Sequence, residues 1–172
     1  MAAKSYLIPV HEIKSSTVID DNYDGNKILI SIWEVQELVL EDILGTALYR
    51  KLLADNTAKT LSEDNQSLLT DYIWPVLEYG VLQNLYTDIW IRLTRSSMVK
   101  DNNDISSSIS ADEVFIIQKK TENKSLQFID KLVDHLEAFS SKYPEYDGIQ
   151  PLDGEGPDKT ENSSIMWNYG LF

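Results

Sequence analysis

Lys27-Ile28-Leu29-Ile30-Ser31-Ile32-Trp33-Glu34-Val35-Gln36-Glu37-Leu38-Val39-Leu40-Glu41-Asp42-Ile43-Leu44 is the stretch that decides the fold class. Ile28, Ile32, Val35, Val39 and Ile43 recur at helical spacing and form one apolar stripe. Leu29, Trp33, Leu40 and Leu44 form a second stripe beside it. Lys27, Ser31, Glu34, Glu37 and Glu41 are left as a narrow polar line. A helix that is apolar around most of its girth must be buried on several sides. A small monomer rarely offers that much cover, so the sequence predicts that a neighbouring subunit shares this helix.

Working outward, Gly45 stands where a left-handed C-cap glycine belongs. Thr46 is placed to N-cap a second helix from Ala47 to about Ala54, with Leu48, Tyr49 and Leu52 available for packing. Asp55 to Leu61 reads as a polar loop. Ser62 opens a third helix, with Glu63 and Asp64 at its positive end. Its face continues through Leu68, Leu69, Tyr72, Ile73, Val76 and Leu77 to Leu85, Ile89 and Leu93. Pro75, inside that pattern, removes a backbone donor and should kink or split the helix.

Ser96 to Ile109, rich in Ser, Asn and Asp, reads as a mobile loop. Ser110 and Glu113 form a capping box before a last helix from about Ala111 to Ser141. Phe128, Ile129, Leu132, Leu136 and Phe139 are its best face. Val114 to Ile117 is β-branched enough that a short strand is the alternative there. Before the deciding stretch, Pro9 and Thr17-Val18-Ile19 argue against a stable helix between Met1 and Asn22. The expected class is all-α: a small bundle of about four to five helices, with an irregular N-terminal segment and an extended C-terminal tail. Residues 1–143 are expected to form the helical domain, and 144–172 a tail that is not an independent domain. Gly148, Pro151, Gly154, Gly156 and Pro157 make a tether that cannot pack a core by itself.

Composition narrows the function classes. The chain has 172 residues and 42% hydrophobic residues, enough for one domain with a core. Its 28 acidic and 15 basic residues give a formal net charge of −13. Duplex affinity comes largely from Lys and Arg neutralising phosphates, so a chain this acidic should not hold DNA. There is no cysteine, which removes disulfides and thiolate chemistry and fits a reducing compartment. No apolar run approaches the roughly 20 residues of a membrane span, and no signal-peptide core is expected in the first residues.

No catalytic constellation is legible, and neither an enzyme activity nor a cofactor is expected. Asp20, Asn22 and Asp24, with Gly25, match the opening of a calcium loop, but Ser31 occupies the position that needs a bidentate Glu. The competing reading is a turn at Asp24–Gly25 that caps the following helix. His11 and His135 cannot supply a structural zinc site between them. His135 reads as a surface residue near a helix C-terminus, where the dipole favours its cation. Ile165, Met166, Trp167, Tyr169, Leu171 and Phe172 form an aromatic segment beyond the tether. Either it folds back on its own domain or it docks elsewhere; aromatic anchors of this kind favour docking on another subunit or protein.

Ile28-x3-Ile32-x3-Gln36, followed by Ile43-Leu44-Gly45-x2-Leu48-Tyr49-x2-Leu52, resembles the phage head–tail connector (adaptor) family, in which a helix ends at Leu-Gly and Leu-Tyr opens the next. Tyr72-Ile73-x-Pro75 with Tyr79, and the last helix ending near Tyr143-Pro144-Glu145, are similar to that family too. Neck ring proteins of Bacteroides-type and crAss-like phages are long variants of this kind. The resemblance spans most of Ile8 to Glu145; the Ser96–Ile109 loop and the tail depart from it. It implies a virion protein, made in the host cytoplasm, that forms a ring matched to a twelvefold portal. Such a ring extends the DNA channel without binding DNA specifically and docks the next neck or tail protein. The expected interface residues are Trp33, Leu40, Leu44, Gly45 and Tyr49, together with the six aromatic and apolar residues of the tail. The competing class is an acidic helical inhibitor or DNA mimic acting on a host factor. That class needs its acids along one exposed face and leaves the apolar first helix without a job.

Overall fold

The structure, a computed structural model, describes residues 4–99, 111–146 and 148, with side chains described there except at 87–99 and 111–114. Among the described residues the chain is all-helical, as the periodicity predicts. The elements are α1 (Val10–Ser16), α2 (Gly25–Val35), a π-helical turn (Gln36–Leu40), α3 (Glu41–Leu44), α4 (Thr46–Ala58), α5 (Glu63–Ser67), a second π turn (Leu68–Ile73), α6 (Trp74–Val99) and α7 (Ala111–Ala138). A short 3-10 turn, Ser140–Lys142, follows α7. Because α2 runs through the first π turn into α3, and α5 through the second into α6, the described residues form five rods. α6 is central: α7 packs along it, and α2 and α1 pack against it as well.

The deciding stretch folds as a single interrupted helix, but its cover comes from its own chain. Ile28, Ile32, Leu40, Ile43 and Leu44 are fully buried by α6, α4 and the N-terminal segment. This corrects the expectation that a monomer could not bury them. The polar line is also corrected. Ser31 is buried, whereas Ile30 and Leu38 are exposed at 55% and 68%. Those two residues lie eight apart, on one face of the rod.

The N-terminal segment is ordered where the sequence suggested irregularity. Pro9 does not prevent a helix; it stands at the N-cap of α1, where its missing N–H costs nothing. Thr17 to Ile19 do end that helix. Pro75, in turn, lies in the first turn of α6, directly after the second π turn. Within that turn the N–H of Trp74 reaches back five residues to the carbonyl of Leu69. A widened turn removes the clash between a proline ring and the carbonyl four residues earlier, so the rod continues instead of breaking.

Gly45 has φ 73° and ψ 149°. The positive φ is as expected, but ψ is extended, a region essentially restricted to glycine. Gly45 rather than Thr46 caps α4, and Thr46 is its first helical residue, with no side-chain capping bond. Ser62 does cap α5, its Oγ accepting from the N–H of Asn65 at 3.2 Å. No atom lies within 4 Å of a Cβ added at Gly45, so any penalty there is conformational. Gly45→Val is expected to cost about 1–3 kcal/mol; a thermal melt equal to wild type would refute the backbone assignment.

Val114 to Ile117 are helical in α7, which decides against the short strand. α6 extends to Val99, so Ser96 to Val99 are helix rather than loop. The rest of the expected loop, Ser110 of the capping box, and residues 149–172 lie outside the described residues. Ile165, Met166, Trp167, Tyr169, Leu171 and Phe172 are among the latter. The packed unit reaches past the expected boundary at 143: Tyr143 is buried, Tyr146 packs on the core, and Glu145 pairs with Lys51 at 2.6 Å.

Candidate functional site

The resemblance centres on the corner where α3 meets α4, and the structure shows what that corner does. Gly45 turns the chain so that Leu44, Leu48 and Tyr49 all enter the core at zero exposure. The ring of Tyr49 is covered, while its hydroxyl reaches the rim and donates to Glu37 Oε1 at 2.7 Å. Burial first, and then the Glu37 carboxylate, hold the Tyr49 phenol well above its usual range. Arg50 lies 3.5 Å from Glu37 and 3.3 Å from Glu41, closing a charged rim over the corner. Of the five expected interface residues here, Leu40, Leu44 and Tyr49 are therefore core residues, and their side chains offer no free surface. Gly45 is half-buried. Trp33 is half-buried too, and it borders an open depression of about 640 Å³ also lined by Glu37, Arg50 and Leu53. Lys4 Nζ sits 3.6 Å from the centre of the Trp33 ring, a cation–π contact that ties the N-terminal segment to α2.

Gln36 was legible only as the last letter of a motif, and it holds the N-terminal segment. Fully buried in the first π turn, it accepts from the N–H of Leu7 at 2.8 Å and donates to the carbonyl of Ser5 at 3.2 Å. Asn56 donates to the carbonyl of Tyr6 at 3.0 Å, and Trp74 Nε1 to that of Leu7 at 2.9 Å. An extended segment has no internal partners for its peptide groups. Here three side chains from three rods supply them.

The calcium-loop candidates are spent on backbone. Asp20 Oδ1 accepts from the N–H of Asn22 at 2.7 Å, and Asp24 caps α2 by accepting from Asn26 at 2.9 Å. Ser31, at the position of the missing Glu, is buried. Among the described residues, no group of three or more His, Cys, Asp or Glu side chains is placed to hold a metal ion.

His11 is largely exposed, 3.4 Å from Glu12. His135 differs from expectation. It stacks on Tyr72 with ring centres 4.0 Å apart, and its Nε2 is 3.1 Å from the Tyr143 hydroxyl. Desolvation and then Lys142 lower its pKa from the ordinary 6.5, against a smaller opposing pull from Asp71, so the cation is disfavoured. Lys142 pairs with Asp64 at 2.6 Å, fastening the end of α7 to α5. A histidine whose folded pKa is depressed contributes stability that is complete above about pH 6.5 and is lost as pH falls through the folded value. Glu78 and Asp130, raised mainly by desolvation, act in the opposite sense. The difference between wild type and His135→Gln cancels them. That difference in unfolding free energy is expected to shrink as pH falls below 6.5; urea titrations giving a constant difference would contradict it.

Among the described residues, large apolar side chains remain exposed at Val18, after α1, at Phe139, after α7, and on two elements that both pack on α6. Ile30 and Leu38 lie on the rod formed by α2 and α3, and Phe115, Ile116 and Ile117, at 59%, 52% and 42% exposure, lie near the start of α7. Among the described residues, no helix is long and apolar enough to cross a membrane. Residues 40–154, more than half of the chain, match a family described as "Family of unknown function (DUF6712)". No curated protein and no solved structure matches the chain.

Proposed function

We propose that this chain, which belongs to the DUF6712 family, is a non-catalytic virion protein: a head–tail connector subunit that forms a ring below the portal. In this reading the ring extends the DNA channel and presents a docking surface to the next neck or tail protein. The observation that carries the proposal is the pair of separate apolar exposures, Ile30 with Leu38 on the rod formed by α2 and α3, and Phe115 to Ile117 on α7. A ring is built from heterologous contacts, which need two different patches on each subunit. Burying such a side chain from full exposure contributes roughly 1.5–3 kcal/mol; these five are already partly covered in the subunit, so each favours assembly by less than that. The motif order from Ile28 to Glu145 supports the connector assignment, and the corner at Gly45 has the compact form that a Leu-Gly, Leu-Tyr junction requires.

Charge supports the conduit role. A net charge of −13 repels phosphate, so DNA would pass without lodging. Full-length protein titrated into a labelled duplex at physiological salt is expected to give no gel shift. Negative-stain images of the same sample are expected to show annular particles. Salt-sensitive micromolar binding would overturn the passive-channel reading, and a field of small, non-annular particles would favour the acidic inhibitor.

A further inference from the structure

The lysines of α7 stand out in a chain this acidic. Lys120 and Lys124 line an open slot of about 400 Å³ between the end of α1, α6 and α7. Tyr79, Leu82 and Tyr86 form its floor, and Ile117 and Val18 its apolar edges. Ile117, Thr121 and Lys124 fall on one face of α7. The slot is therefore basic and aromatic, the complement of one stretch of this same chain. Residues 147–172 carry five acids (Asp147, Asp153, Glu155, Asp158 and Glu161) against one base, Lys159, followed by Ile165, Met166, Trp167, Tyr169, Leu171 and Phe172.

We infer that the slot on α7 receives the Ile165–Phe172 segment of an adjacent copy, with the acids before that segment facing Lys120 and Lys124. The inference rests on the ring reading. Its geometry follows from where the chain leaves the domain. Glu145 is held by Lys51, and Lys142 by Asp64, so Gly148 departs at the α4–α5 end. Thr121, in the slot, lies about 26 Å from Ala138 along α7 at 1.5 Å per residue. Donor and acceptor thus sit at different ends of the subunit, the arrangement a head-to-tail ring requires. Ile165 lies seventeen residue steps beyond Gly148, a tether reaching about 56 Å at roughly 3.3 Å per step.

The absence of native cysteine makes a direct test clean. Full-length protein carrying Ile117→Cys and Leu171→Cys is oxidised and run on a non-reducing gel, beside a control carrying Ser67→Cys and Leu171→Cys. Because tethering raises effective concentration by about 10²–10⁴, the 117/171 pair is expected to form an intermolecular ladder at least about 100-fold faster than the control. Adding Lys120→Glu and Lys124→Glu should erase that preference. Equal rates for the two pairs would overturn the slot as the receptor. A band migrating as an internally bridged monomer would overturn the adjacent copy and assign the segment to its own domain. Light scattering on the same sample separates this failure from failure of the ring itself: a large particle without the ladder refutes the slot alone, and a monomer refutes the ring.

Discussion

Gly80→Leu is expected to destabilise the fold by about 3 kcal/mol, at the upper end of overpacking costs in a filled core. Gly80 is where α6 crosses α2. A Cβ added there would stand 2.8 Å from Val35 Cγ1 and 3.3 Å from Val35 Cγ2. Val35 is itself buried and has few alternative rotamers, so the two rods must separate to admit the larger side chain. Removing glycine from a helix returns about 1 kcal/mol of propensity, which is smaller than the clash. The melting temperature should fall by about 6–12 °C, taking roughly 2–4 °C per kcal/mol at this size. Gly80→Ala should be milder, and Val35→Ala should relieve it more than additively. An unshifted melt for Gly80→Leu would mean that α2 and α6 do not cross at this point.

Gln36→Leu is expected to cost about 1–3 kcal/mol, because it removes both partners from a buried amide clamp while nearly keeping the volume. The Leu7 N–H would lose its acceptor and the Ser5 carbonyl its donor. Leu7 and Ile8 are fully covered, so the orphaned peptide groups would have to pull these side chains out of the core to reach water. The effect should therefore be concentrated in the first residues. Hydrogen exchange is expected to accelerate from Tyr6 to Ile8, with α6 and α7 changed only by the global loss. Uniform acceleration, or none, would show that Gln36 does not hold this segment.

The helices were legible because apolar spacing is local. Ile28, Ile32 and Ile43 read correctly as one buried stripe, and Ser62 reads as a cap because capping involves residues three apart. What the sequence concealed depends on other rods. The exposure of Ile30 and Leu38 and the burial of Ser31 were not legible, since a rod apolar on most sides has no phase of its own. The π turn at Gln36–Leu40 adds a residue to the ladder and shifts that phase further. Gln36 is invisible as a clamp until Ser5 and Leu7, about thirty residues earlier, come to lie against it. The same holds for His135, whose sequence context offers a helix dipole and whose actual neighbours are Tyr72 and Lys142.

Leu40 and Leu44 were expected at an interface for a sound reason, namely the excess of apolar surface on their helix. The excess proved to match what α4, α6 and an ordered N-terminal segment consume. The apolar surface left exposed among the described residues is smaller and lies elsewhere, at Val18, Ile30, Leu38, Phe115 to Ile117 and Phe139. In the proposed ring, a charged substitution at Leu38 or Phe115, exposed by 68% and 59%, is expected to weaken assembly while leaving the fold intact.

The central claim is that this protein assembles into a closed ring, and the molar mass of the full-length chain in solution tests it most directly. Size-exclusion chromatography with multi-angle light scattering, run at several concentrations and at physiological salt, is predicted to give a discrete multiple of the 19.6 kDa subunit. Leu38→Glu with Phe115→Glu is predicted to reduce that mass to a single subunit while keeping the helical circular dichroism. A mass of one or two subunits at every concentration for the unaltered protein would contradict the ring.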